Sequence, residues 1–242
     1  MQKEKVKYVL TKKIVWIWFV LAGLLASCTN EEQKTMPANF IFNFNADVEG
    51  WAEGFADYPV DSDSFYEKSF EYSTLPEPLD QNTGALKISG NNHSDDLFMF
   101  VKRKVTGLEP NTIYRVEMTV EFASDVPDGT PGVGGSPGES VYIKAGATAQ
   151  EPAPVIDEDN WYRMNIDKGN QSQGGEDMQV LGDFSNDTDT NEYTLKTVSN
   201  NDSFSVTSDE NGEVWLIVGS DSGFEATTTI YYNRFEFVLT PA

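Results

Sequence analysis

Cys28 is the only cysteine among the 242 residues, so no disulfide can form within the chain and its thiol is free for other covalent chemistry. It stands directly behind an apolar stretch and the small residues Ala26 and Ser27. Gly134-Gly135-Ser136-Pro137-Gly138 has the Gly-x-Ser-x-Gly spacing of a nucleophilic serine, for which His93 with Asp95 and Asp96 would be base and orienter. The surroundings argue against that chemistry. The stretch lies in a loop with five glycines between Gly129 and Gly138, no helix follows it, and Pro137 removes a backbone N–H that an oxyanion hole would use. Asp183, Ser185, Asp187, Asp189 and Asn191 alternate along the chain and offer the hard oxygen ligands that calcium takes. Trp161 and Tyr162, with Tyr58, supply rings that could stack on a sugar, and Asn170, Gln171 and Gln173 supply amides for its hydroxyls.

The residues around Cys28 fix where the chain is expected to reside. Lys3, Lys5, Lys7, Lys12 and Lys13 precede an apolar run from Ile14 to Leu25, the pattern of a signal peptide. Twelve helical residues rise about 18 Å, short of the roughly 30 Å hydrocarbon core, so spanning is the weaker reading. Leu25-Ala26-Ser27-Cys28 resembles a bacterial lipobox. That resemblance implies removal of residues 1–27, acylation of Cys28 and anchorage in a lipid bilayer. Residues 28–38 then form a polar tether, and Glu31-Glu32 resembles a signal for the outer face of the outer membrane. The expected place is the cell surface, with the periplasmic face as the alternative.

Charge narrows the partners. The chain carries 17 basic and 39 acidic residues, and almost a third of the basic ones lie ahead of the lipobox. Nucleic acid is not an expected partner, because phosphate binding needs clustered cations and only Lys102-Arg103-Lys104 comes near that. The acidic surface suits an extracellular protein and could hold divalent cations, including a structural calcium. Asp183 to Thr194 is not an EF-hand, since Thr188 replaces the glycine and Thr194 the terminal acid.

The elements that must position these groups read as strands. Tyr114, Val116, Met118, Val120 and Phe122 alternate with Arg115, Glu117, Thr119 and Glu121, which gives one buried and one wet face. Similar strands are expected at 40–44, 65–72, 85–89, 97–105, 141–147, 161–166, 193–198, 214–219 and 230–239. The continuous apolar runs 97–101 and 214–218 predict central strands buried on both faces. Trp51 and Trp215 are expected in the core. Residues 49–59 read as a Gly-containing loop, 127–140 and 167–177 as long loops, and Asp209-Glu210-Asn211-Gly212 as a tight turn with Gly212 at positive φ. The expected fold of residues 39–242 is all-β, an antiparallel two-sheet β-sandwich of jelly-roll type following an N-terminal lipoprotein signal peptide.

Gly107-Leu108-Glu109-Pro110-Asn111-Thr112-Ile113-Tyr114 is similar to the Gly-Leu-x-Pro-x-Thr-x-Tyr turn of fibronectin type III domains and of carbohydrate-binding-module jelly rolls. In such turns the tyrosine hydroxyl reaches back to the backbone, so Tyr114 is expected to be structural. A fibronectin domain nearly ends at that strand, whereas 128 residues follow Tyr114 here; the jelly roll fits better. Phe42-Asn43-Phe44 with Gly50-Trp51, and Thr229 to Phe235, resemble the opening and closing stretches of the same galactose-binding-like family. The resemblance implies a binding module for a glycan or another extracellular ligand, more than an enzyme. The alternatives are an adhesion or structural lipoprotein and, third, a hydrolase with two carboxylates about 5 to 9 Å apart, for which the sequence selects no pair.

Overall fold

The computed structural model describes residues 36–242; Cys28, the expected signal peptide and most of the expected tether lie outside them. In chain order the strands are β1 (Ala38–Asn43), β2 (Ala52–Ala56), β3 (Tyr58–Pro59), β4 (Ser69–Thr74) and β5 (Gly84–Asn91). There follow β6 (Leu97–Val105), β7 (Ile113–Ser124), β8 (Val141–Thr148), β9 (Pro154–Ile156) and β10 (Trp161–Met164). The last five are β11 (Met178–Asp183), β12 (Thr194–Ser199), β13 (Ser205–Thr207), β14 (Val214–Ser222) and β15 (Thr227–Pro241).

Two sheets form the body. One runs β12-β7-β15-β5-β4, with β1 also on β15 and β13 also on β7; the other runs β11-β8-β14-β6-β2. All pairings are antiparallel. From β5 onward the chain passes back and forth between them, so that β5-β15-β7-β12 faces β6-β14-β8-β11. That is the double Greek key of a jelly roll. A small third sheet, β3-β10-β9, accompanies them.

Alternation explains the main core. Val116, Met118, Val120 and Phe122 of β7 turn inward against Leu97, Met99 and Val101 of β6 and the inner residues of β14. Trp51 is 2% exposed and meets Phe42 and Phe235 edge-on at 5.2 and 4.9 Å. Each such ring contributes on the order of 1.5–3 kcal/mol through burial. The other faces of β6 and β14 are covered too: Phe98, Phe100 and Ile217 pack with Ala56, Met178 and Ile166 in a second cluster. Both apolar runs are thus buried on two sides, as their composition predicts.

Three details differ from the sequence expectation. Residues 49–59 are not a loop but hold β2 and β3, because Gly54 leaves room for the Phe100 ring where a Cβ would collide with it. Met178–Asp183, read as outside any strand, is the edge strand β11, with an irregular register at Leu181. Trp215 is half-buried rather than core. It lies on the outward face of β14, with the ammonium groups of Lys102 and Lys104 5.3 and 5.4 Å from its ring.

Tyr114 is buried and accepts the Glu109 N–H at 2.8 Å, closing the turn as the motif predicts. Gly212 has φ 72°, and a Cβ there would run into the Leu108 carbonyl of the same junction. Tyr232, by contrast, is fully buried with a hydroxyl that has no hydrogen-bond partner, and burial alone holds that phenol well above its ordinary pKa. Tyr114→Phe is therefore expected to cost about 1 kcal/mol, while Tyr232→Phe is neutral or stabilising because it deletes an unsatisfied polar atom. Urea unfolding of the two variants measures the contrast; equal losses would contradict it.

Candidate functional site

The outward face of the β11-β8-β14-β6-β2 sheet carries two charges that strand alternation places side by side. Lys144 of β8 stands opposite Gly219, and Asp221 of β14 opposite Tyr142. Their side chains are wholly buried and form an ion pair of 2.7 Å. They are buried because residues 165–177 cross over them. The base of that loop is closed by Asp167 and Asp177, whose carboxylates accept the N–H groups of Gly169, Glu176 and Asp167. Its backbone turns two carbonyls, those of Lys168 and Gln173, onto the Lys144 ammonium at 3.0 Å each. Asp221 Oδ2 also accepts from Lys168 Nζ and the Gln171 N–H, both at 2.8 Å.

The network continues to the surface. Lys168 Nζ lies 3.0 Å from Asp57, which follows β2 at φ 63°. Arg163 of β10 reaches Asp57 at 2.9 Å, Asp96 at 3.4 Å and Asp157 at 3.5 Å, and lies 4.7 Å from the Trp161 ring. Asp57, Asp96, Arg163, Lys168 and Asn170 line a cleft of about 270 Å³. Carboxylate oxygens of Asp57, Asp96 and Asp221 lie within 4.8 Å of one another, a separation that could hold a metal ion. The Lys168 ammonium, paired with Asp57 and Asp221, supplies positive charge there; Lys144, Lys168 and Arg163 match these three acids one for one, and Asp157 beside Arg163 and Asp167 at the cleft add negative charge.

The balance leaves acceptors in excess. Asp96 Oδ1 and Asp221 Oδ1 are buried without a hydrogen-bond donor, while Asp57 Oδ2 has the Lys168 ammonium at 3.0 Å. Burial, reinforced by the negative Asp57 and Asp221, pushes Asp96 up to about 7. Burial also draws Lys144 below the ordinary lysine range, whereas Asp221 and Asp57 outweigh burial at Lys168 and raise it. A cleft built this way offers hydrogen-bond acceptors to a donor-rich ligand and holds a carboxyl that can carry a proton near neutral pH.

Trp161 and Tyr162 fall together on β10, both half-buried. Trp161 keeps an exposed part beside Arg163, while Tyr162 packs on the main core and on Tyr58 at 4.9 Å. Tyr58 is 5% exposed, enclosed by Tyr66, Tyr162 and the Lys68 ammonium; it presents no open stacking face. Asn170 is exposed at the cleft. Gln171 donates to the Asp95 carbonyl at 2.8 Å, and the Gln173 carbonyl serves Lys144, so these two tie down the loop. Asp183 and Asp187 share the Lys196 ammonium at 2.9 Å each, and Asp189 is exposed away from that contact. Ser136 bonds to Glu139 while His93 packs edge-on against Phe65 and Tyr66, with no hydrogen bond between serine and histidine among the described residues. Lys144, Asp221, Lys168, Asp57 and Arg163 escaped the sequence reading. The one local signal was a lysine inside the apolar stretch Val141–Thr148.

No family model and no curated protein matches the chain. Among solved structures it is similar to the CBM22-1 xylan-binding domain of Xyn10C from Paenibacillus barcinonensis, at 11% identity over 84% of this chain and 94% of that one, TM-score 0.38. It is also similar to TmCBM61, solved with β-1,4-galactotriose, at 13% identity over 83% and 99%, TM-score 0.35. A third is the K1 cleaved adhesin domain of Lys-gingipain from Porphyromonas gingivalis, at 10% identity over 85% and 99%, TM-score 0.35. These are distant likenesses of fold.

A carboxyl raised from 3.8 to about 7 by folding holds a proton that the unfolded chain has already lost. Stability should therefore fall as pH rises from about 4 to 7 and level off above. Asp96→Asn removes this component. After allowance for solvent screening, the variant should lose about 1–2 kcal/mol less stability than the parent between pH 4 and pH 8. Denaturant unfolding at the two pH values checks this, and an identical pH dependence in both proteins would refute it.

Proposed function

We propose that this chain is a lipid-anchored surface protein whose jelly roll binds a neutral glycan in the cleft between β10 and the 165–177 loop. The observation that carries the reading is the acceptor-rich cleft beside the partly exposed Trp161 ring. A sugar hydroxyl is the donor that Asp96 Oδ1 lacks, Arg163 and Asn170 can meet ring oxygens, and an indole suits the apolar face of a pyranose. With Asp157 and Asp167 beside the cleft, in a chain of net charge −22, an anionic glycan has no advantage there.

The support for anchoring is the lipobox-like Leu25-Ala26-Ser27-Cys28. Two or three acyl chains on Cys28, at about 0.8 kcal/mol per buried methylene, would hold the domain durably on the outer membrane.

A glycan panel probed with the purified protein tests the binding. Retention of at least one neutral oligosaccharide is expected, weakened about tenfold or more by Trp161→Ala, the loss of roughly 1.4 kcal/mol of stacking. No retention by the folded protein would overturn the reading. For the anchor, Cys28→Ala should move the protein from the membrane fraction to the soluble one, and unchanged partition would refute lipidation.

A further inference from the structure

We propose that Lys144 and Asp221 become joined by an intramolecular amide bond between β8 and β14, with Asp96 as the carboxyl that assists its formation. The two side chains are wholly buried, on neighbouring strands, and in contact at 2.7 Å. Asp221 stands opposite Phe98 in the sheet register, and the 165–177 loop closes over both. Reacting groups held in contact by a rigid sheet need no encounter step, which removes much of the entropic barrier to condensation. A buried ion pair carries the desolvation cost of two charges, and a neutral amide in its place carries neither.

Asp221 is also asymmetric in the manner the reaction requires. Its Oδ2 receives Lys144, Lys168 and the Gln171 N–H, while Oδ1 has no donor; Oδ1 of the neighbouring Asp96 carboxyl is likewise unpartnered. Carboxylate oxygens of Asp96 and Asp221 lie within 4.8 Å of each other, so a proton on Asp96 delivered to Asp221 Oδ1 would satisfy both atoms and polarise the Asp221 carbonyl. Lys144 passes one proton to Asp221 Oδ2 and attacks Cγ with its freed lone pair, forming the N–C bond while Asp96 protonates Oδ1. A second proton then moves from nitrogen to Oδ2, the Cγ–Oδ2 bond breaks, and Oδ2 leaves as water. Oδ1 returns its proton to Asp96 and becomes the amide carbonyl. The ammonium and the carboxylate are thereby converted to one amide and one water, with no oxidant, reductant or cofactor. Lys144 rather than Lys168 is the nucleophile because it is wholly enclosed and pairs with Asp221 alone, whereas Lys168 remains paired with Asp57.

Tryptic mapping of the purified full chain by mass spectrometry tests this. The expected result is a branched peptide linking Lys144 to Asp221, lighter than the sum of its two arms by one water, with no cleavage after residue 144. Lys144→Arg keeps the charge and cannot form the amide, so it should restore two separate peptides. Asp96→Asn should retain the fold and slow the joining on the order of a hundredfold, so that freshly made protein is unjoined. A folded wild-type chain that trypsin cuts after Lys144, or a water loss mapped to Lys168 or another residue, would overturn the proposal.

Discussion

Both faces of the β11-β8-β14-β6-β2 sheet must be covered, and most of the remaining architecture follows from that. Strands β6 and β14 present apolar side chains alternately to the opposing sheet and away from it, so the partner sheet can satisfy only half of them. The β9-β10 strands and the 165–177 loop supply material for the other half. Covering a sheet with loop has its own cost, because loop carbonyls directed inward need donors. Lys144 is such a donor for two of them. Once an ammonium is enclosed there, a buried carboxylate must accompany it, and the accumulation of charge extends through Asp221, Lys168 and Asp57 to Arg163 at the rim. The cleft is thus the outer end of a chain of requirements that begins with hydrophobic burial.

This also explains why Lys144, Lys168 and Arg163 meet at one place in so acidic a molecule. A surface with a large excess of negative charge leaves most carboxylates in water, where they need no partner. Those drawn under the loop cannot be hydrated, and each is matched by lysine or arginine. Local neutrality is then a property of the buried cluster and not of the surface around it. The remaining mismatch lies in geometry: donors converge on Asp221 Oδ2, leaving other oxygens of the same carboxyl groups unserved.

The sequence made the frame legible and the cluster almost invisible. The strand expected at 97–105 has the limits of β6, marked by the contiguous apolar run 97–101, and the alternation through Tyr114 to Phe122 places β7 with the correct face inward. The turn at Tyr114 was readable because a single side chain and its local backbone define it. β2 was missed because glycine, normally a strand breaker, is there required by the Phe100 ring, a neighbour distant in sequence. β11 was missed because its register is set by β8 and not by its own pattern. The cluster draws on positions 57, 96, 144, 163, 168 and 221, which only the folded topology brings together. Trp161 and Asn170 were legible by residue type, while Tyr58 was not, since nothing local reveals that Tyr66 and Lys68 close over it.

The first strand gives the fold a mechanical property. β1 runs antiparallel to the C-terminal half of β15, Ala38 opposite Leu239 through Asn43 opposite Arg234. Its hydrogen bonds lie across the strand direction. A pull on the chain ahead of Ala38, directed along β1, therefore loads all of these bonds together in shear instead of peeling them one at a time. The partner strand is itself held on its other side by β7 along most of its length. Such an attachment resists sustained traction best when the load is axial, and yields most readily when it is turned sideways.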